Sequence, residues 1–188
     1  PAYHAIQYLL GNLDPSFLKK FRELGGLQSY PSRTKDPDFV DYSSGSVGLG
    51  AVAPNFNWLA DEYLKTHTIT SIPKRRYFSL LGDAELDEGS IWEAIAEPNL
   101  IDSKDIVWIV DLNRQSLDRI IPGIRVRAWR QMFDANGWQV HEAKYGTKLQ
   151  NAFNQPKGDL LQQSIDEMPN ELYQRLLLLD GSIIREHL

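Results

Sequence analysis

The sequence predicts an α/β fold, a three-layer αβα arrangement built on a mostly parallel sheet. Three observations carry that expectation. Two short apolar runs, Tyr77–Leu81 and Ile106–Val110, are separated by a stretch of helical periodicity, and a third, Trp138–Val140, comes after a second helical stretch. Strand, helix, strand, helix, strand at these lengths implies parallel strands with helical crossovers, covered on both faces. The 188 residues are 42% hydrophobic and 11% aromatic, enough to bury one core, so a single domain over 1–188 is expected.

Asp14-Pro15 is a helix start, an acid that caps followed by proline at the first helical position, and Phe17, Leu18, Phe21 and Leu24 repeat on one face before Gly25-Gly26. Residues 28–46, rich in Ser, Pro, Asp and Gly, read as an irregular loop. A helix is expected from about Val47 to Lys65, small at its start and bulky later. Tyr77–Leu81 ends at Gly82, as a buried strand does. A helix over 88–97 would turn Ile91, Trp92 and Ile95 inward, and a later one would carry Val126, Trp129, Met132 and Phe133 until Asn136-Gly137 stops it. The tail reads as helices over 147–154, 158–166 and 169–179, with Ile183-Ile184 as a short last strand. The five tryptophans are expected to pack in the core and at interfaces.

Composition narrows the function. No cysteine means no disulfide, thiolate catalysis or Cys-ligated zinc, which fits a reducing, cytoplasmic setting. No apolar run reaches the ~20 residues that span a bilayer. With 20 basic and 25 acidic residues the formal charge is −5, which disfavours nucleic acid as a partner. Pro rather than Met at position 1 suggests a piece of a longer polypeptide.

In open parallel sheets, ligands sit beyond the carboxyl ends of strands. Two polar segments occupy such places: Gly82-Asp83-Ala84-Glu85-Leu86-Asp87-Glu88-Gly89 after the first strand, and Asp111-Leu112-Asn113-Arg114-Gln115-Ser116-Leu117-Asp118 after the second. They converge if the two strands are neighbours. Carboxylate, amide and backbone oxygens are hard donors that suit magnesium or calcium. The acids 83, 85 and 87 do not make an EF-hand, because position six of such a loop is Glu88 and position twelve is Ala94. A phosphoryl-transfer enzyme would need a phosphate-cradling Gly/Lys loop or an aspartyl nucleophile motif, and neither is found.

Gly82-Asp83, with Asn113 thirty residues after Asp83, resembles the bipartite motif of thiamine diphosphate enzymes. The strings GDAELDEG and DLNRQSLD narrow the resemblance to the transketolase-like branch. SYPSR (Ser29–Arg33), GSVGLG (Gly45–Gly50) and the closing DGSIIREHL (Asp180–Leu188) resemble the homodimeric pyruvate dehydrogenase first component and related single-chain 2-oxoacid dehydrogenases.

The resemblance implies specific roles. Asp83 and Asn113 would give side-chain oxygens to magnesium, and Gln115 its backbone carbonyl; the metal would clamp the cofactor's diphosphate. Gly82 would belong to the cofactor-binding set as the strand-ending residue before Asp83, and Ala84 and Glu85 would offer backbone N–H groups to the remaining phosphate oxygens. Gly45, Ser46 and Val47 would touch the aminopyrimidine ring through their backbone. Glu88 corresponds to a glutamate near the subunit boundary, in a proton network joining two active sites, and Leu117 and Asp118 complete the second half-motif by packing. Position 84 is usually Gly; Ala there weakens binding if the position needs a positive φ or very close cofactor approach, and is harmless if its φ is negative, the reading favoured because the neighbouring motif residues are intact.

The activating glutamate of the family lies on a pyrimidine-binding domain supplied by a second subunit, and the phosphate-side histidines have no counterpart among His4, His67, His141 and His187. The expectation is therefore a diphosphate-binding domain trimmed at its N-terminal side, inactive alone. Its parent would decarboxylate a 2-oxoacid, pyruvate first, and pass the acyl group to a lipoyl-bearing acyltransferase. Two alternatives stay open: a transketolase moving two-carbon units, and a non-catalytic cofactor-binding or interaction module.

Overall fold

A computed structural model describes the chain apart from Ser46, Asp102, Asn113, Arg114, Leu117, Asp118, Ile121, Pro122 and Leu188. The chain forms two compact units, Pro1–Asn113 and Arg114–Leu188.

The first unit opens with α1 (Ala2–Leu9), an element that the sequence pattern does not reveal. Asp14 caps as expected, its carboxylate accepting from Ser16 N, but it opens a single 3-10 segment, Pro15–Lys19, rather than a long helix. The chain then doubles back: Phe21 bridges to Leu27, Arg22 takes a positive φ, and Gly26 lies so close to Lys20 that a Cβ would sit 1.9 Å from its carbonyl oxygen. Leu24, placed by periodicity on a buried face, is fully exposed at the tip. The 28–46 loop is irregular, in keeping with its composition, and is stapled by Asp36, whose two carboxylate oxygens accept from Gln28 N (2.8 Å) and Ser32 N (2.7 Å).

Helix α2 (Leu49–Thr66) and strands β1 (Tyr77–Gly82) and β2 (Ile106–Asp111) make the core of this unit. The strands pair in parallel with Tyr77 opposite Ile106 and Gly82 opposite Asp111. Ala51 and Val52 let α2 lie close on the sheet, and Ser79 Oγ donates to the Ala51 carbonyl at 2.6 Å. Asn55, fully buried, accepts from Trp108 Nε1 at 3.0 Å, so its side-chain oxygen at the helix–sheet seam is matched. Phe78 and Leu80 point the other way along β1 and are exposed, as is Ile109 of β2. Helix α3 (Gly89–Ile95) buries Ile91, Ala94 and Ile95. Trp92, expected inward, is 45% exposed, although its indole N–H donates to the Leu86 carbonyl at 3.0 Å.

At the start of β1, Tyr77 donates its hydroxyl to Asp61, which also meets Arg75 Nη1 at 3.3 Å. Burial first, then the Asp61 carboxylate, pushes the Tyr77 phenol up to about 12 from its ordinary value of 10.0. The folded state thus favours the neutral phenol. Its contribution is full below about pH 10 and is lost as pH rises through about 12. Tyr77→Phe is expected to cost roughly 1 kcal/mol at neutral pH and to flatten the fall in stability between those limits, read from urea midpoints across pH.

In the second unit, β3 (Gln115–Ser116) and β4 (Arg119–Ile120) pair antiparallel. Helix α4 (Gly123–Ala135) buries Trp129 and Phe133 and ends as predicted at Asn136-Gly137, where Gly137 has φ 79° and Trp138 N reaches back to the Phe133 carbonyl at 3.0 Å. The expected strand at Trp138–Val140 does not form; Trp138 packs edge-on against Phe133, 5.7 Å between centroids, and the backbone there is irregular. Helices α5 (Thr147–Phe153), α6 (Gly158–Glu167) and α7 (Asn170–Leu176) fall where the pattern places them. Ile183-Ile184 lies in α8 (Gly181–His187), not in a strand. Two β-branched residues are too short a signal to outweigh a continuous run of helical hydrogen bonds.

The fold class is α/β with a small parallel sheet, two strands among the described residues. No helix among them is long and apolar enough to cross a membrane.

Candidate cofactor site

Because β1 and β2 are parallel neighbours in register, the turns after both begin side by side at the same edge of the sheet. That is the condition under which the two half-motifs can meet. Asp83 comes directly after Gly82 and opens a 3-10 helix, Asp83–Asp87, with its side chain inward at 1% exposure. Leu86, buried on the same turn, anchors it. A carboxylate this buried is costly when ionised unless a cation or donors meet it, and an oxygen ligand of that charge is what magnesium takes. The donor chemistry at Asp83 therefore fits the metal.

Ala84 sits inside the 3-10 turn and has a negative φ, a backbone conformation that does not call for glycine. In a 3-10 turn the N–H groups ahead of the third position have no acceptor within it, which leaves that of Ala84 available to an anion. Burial raises the Glu85 carboxyl above its ordinary range; a backbone hydrogen bond from Gly82 opposes this and the Glu88 charge adds to it. Glu88 is the residue before α3, extended at φ −76° and ψ 136°, and its N–H bonds to the Glu85 carbonyl at 3.0 Å.

The glycine segment also packs on α3. Val47 and Gly48 both have positive φ, 72° and 77°. For glycine that is free; for a β-branched valine it is an outlier costing of order 1–3 kcal/mol, the kind of strain that ligand-contacting backbone carries. An added Cβ on Gly48 would meet Ser90 Oγ at 2.8 Å, Ile91 Cγ1 at 3.1 Å and Glu88 Cβ at 3.2 Å. Ser90 Oγ also approaches the Val47 carbonyl at 3.4 Å. No sequence motif marks Ser90; only its contact with Val47 does.

The structure thus brings together Val47, Gly48, Glu88 and Ser90, and sets Gly82–Glu85 at the adjoining strand end; Gly45 is exposed, two residues before Val47. Ser46 and Asn113 lie outside the described residues, as do Leu117 and Asp118, and Gln115 belongs to the second unit.

A parallel strand pair with a buried acid directly after one strand, and a glycine segment packed on the next helix, is the form of an α/β domain that takes a ligand beyond its strand ends. Residues 2–158 match the family described as transketolase, thiamine diphosphate binding domain, and the chain belongs to that family. It is similar over its whole length to pyruvate dehydrogenase E1 components: 27% identical over 192 residues to those of Pseudomonas aeruginosa and Escherichia coli K12, and 25% over 194 residues to that of Corynebacterium glutamicum. The chain spans 22%, 22% and 21% of those relatives, about a fifth of their length.

Proposed function

We propose that this chain is the part of a 2-oxoacid dehydrogenase, with pyruvate as substrate, that holds magnesium and the diphosphate of thiamine diphosphate. The supporting observation is the buried Asp83 carboxylate at the end of β1, in register with the turn that leads to Asn113. Asp83, Asn113 and the Gln115 carbonyl would hold the metal. The N–H group of Ala84 would take a phosphate oxygen, and the backbone of Gly45, Ser46 and Val47 would orient the pyrimidine. The cofactor supplies the carbanion chemistry of decarboxylation. Around it, this chain would hold the metal that offsets the diphosphate charge and fix the cofactor's position, and Glu88 would relay protons toward a second subunit. That subunit would bring the pyrimidine-binding domain, and a lipoyl-bearing acyltransferase would take the acyl group. SYPSR and the closing REHL favour this over sugar transfer, and so do the names of the relatives.

The test is calorimetric titration of the 188-residue chain with thiamine diphosphate, with and without magnesium chloride. Saturable binding that requires magnesium is the expected result; binding indifferent to the metal would remove the proposed clamp. The same chain is expected to release no carbon dioxide from pyruvate, since the residue that activates the cofactor is assigned to another domain. Measurable turnover would overturn that assignment.

A further inference from the structure

Elsewhere in the first unit, three groups that no cofactor role uses converge: His4 on α1, and Asp36 and Asp38 in the loop. His4 is 2% exposed, and the side chains of Asp36 and Asp38 are wholly buried. One ligand atom from each lies within 4.8 Å of the others. The arrangement has a direction. His4 Nδ1 stands 3.0 Å from Asp38 Oδ2, a hydrogen bond that fixes the ring. Its other nitrogen, Nε2, is buried and, among the described residues, has no hydrogen-bond partner; it faces Asp36 Oδ1 at 4.0 Å, and Asp38 Oδ1 is likewise buried without one among them.

Charge makes this cluster unusual. Two carboxylates are removed from water beside a single imidazole, and among the described residues neither is ion-paired to Lys or Arg. Asp36 is partly met by the two backbone N–H groups it holds; among the described residues, the imidazole is the hydrogen-bond partner of Asp38. When Nδ1 carries the proton toward Asp38, Nε2 presents a lone pair to a carboxylate oxygen. Two acceptors face each other across a gap too long for a hydrogen bond.

A metal ion resolves that opposition. Ligand bonds of roughly 2.0–2.2 Å from nitrogen and oxygen span about 4 Å when nearly opposed and somewhat less in a tetrahedron, so a contraction of a few tenths of an ångström suffices. Imidazole with carboxylates is the donor set of zinc and its transition-metal neighbours rather than of magnesium or calcium. The Asp38–His4 bond is the partner that orients and strengthens a ligating imidazole.

We propose that His4 Nε2 and Asp36 Oδ1 bind one divalent ion of the zinc class, separate from the cofactor site, with Asp38 holding the imidazole through Nδ1 and water filling the remaining positions. The ion ties the N-terminal helix to the loop that runs on to Gly45–Gly48. The site involves no redox or covalent step; ligation only displaces protons and water.

The chain, stripped with a chelator, is titrated with zinc sulfate calorimetrically and with cobalt chloride by visible absorption. One equivalent is expected to bind, with a raised thermal midpoint. His4→Ala is expected to weaken binding more than 100-fold and Asp38→Asn about 10- to 100-fold, while Asp83→Asn leaves zinc affinity unchanged. If His4→Ala fails to fold, the near-isosteric Asp38→Asn decides. Zinc taken up equally by wild type and Asp38→Asn, or not at all by folded wild type, overturns the proposal. Loss of zinc binding in Asp83→Asn would move the ion to the cofactor site and overturn it as well.

Discussion

Asp83→Ala is expected to weaken magnesium-dependent binding of thiamine diphosphate by about 100-fold or more, roughly 2.7 kcal/mol, with the chain still folded. The side chain is 1% exposed, and it stands where the proposed metal would couple protein to diphosphate. Removing it deletes a charged ligand outright rather than trimming a contact, so the loss should exceed what a change beyond the ligand shell produces. Asp83→Asn keeps the shape and separates charge from packing; it should fall between wild type and Ala. The readout is the calorimetric dissociation constant with magnesium present, with circular dichroism as the check on folding. Equal affinity in wild type and Asp83→Ala would take Asp83 out of the site and leave the Asp83-based clamp without support.

Gly48→Val should be the most damaging single change to the packing around the site. Position 48 has φ 77°, and its Cβ would fall within 3.2 Å of Ser90 Oγ, Ile91 Cγ1 and Glu88 Cβ. Left-handed backbone costs a β-branched residue about 1–3 kcal/mol, and overpacking against the buried Ile91 adds about 1–3 more. The urea midpoint should drop by an amount equal to about 2–6 kcal/mol, and the glycine segment should separate from α3. Gly89→Ala is the contrast: no heavy atom lies within 4 Å of its added Cβ and its φ is negative, so it should be close to neutral. Comparable losses from both would mean that Gly48 matters only as a flexible residue and not as a contact.

Both outcomes bear on how the site is assembled. Its strand end is visible in the amino-acid pattern because a buried parallel strand is a short unbroken apolar run, and Tyr77–Leu81 and Ile106–Val110 have that form. Asp83 is legible for the same reason: it is the first charged residue past such a run. The Asn136-Gly137 stop and the Asp14 cap are also local, each a matter of one residue's φ or one side chain's acceptor. Where local pattern misleads, a longer-range contact has won. Phe17 to Leu24 repeats like a helix, yet the close approach of Gly26 to Lys20 folds the segment back on itself. Trp92 has helical spacing, but its N–H is drawn to the Leu86 carbonyl and its ring stays at the surface.

From the residues alone came the α/β class, the two strands, most of the helices and the identity of the acid at the first strand end. These rest on periodicity, turn residues and caps, which act within a few positions. Only the folded chain decided that β1 and β2 are direct neighbours with Gly82 opposite Asp111, that Gly48 lies on α3, and that His4 meets Asp38 across 34 positions. Such meetings depend on which surfaces exclude water together and which buried charges can be matched, and no short stretch of chain contains that information.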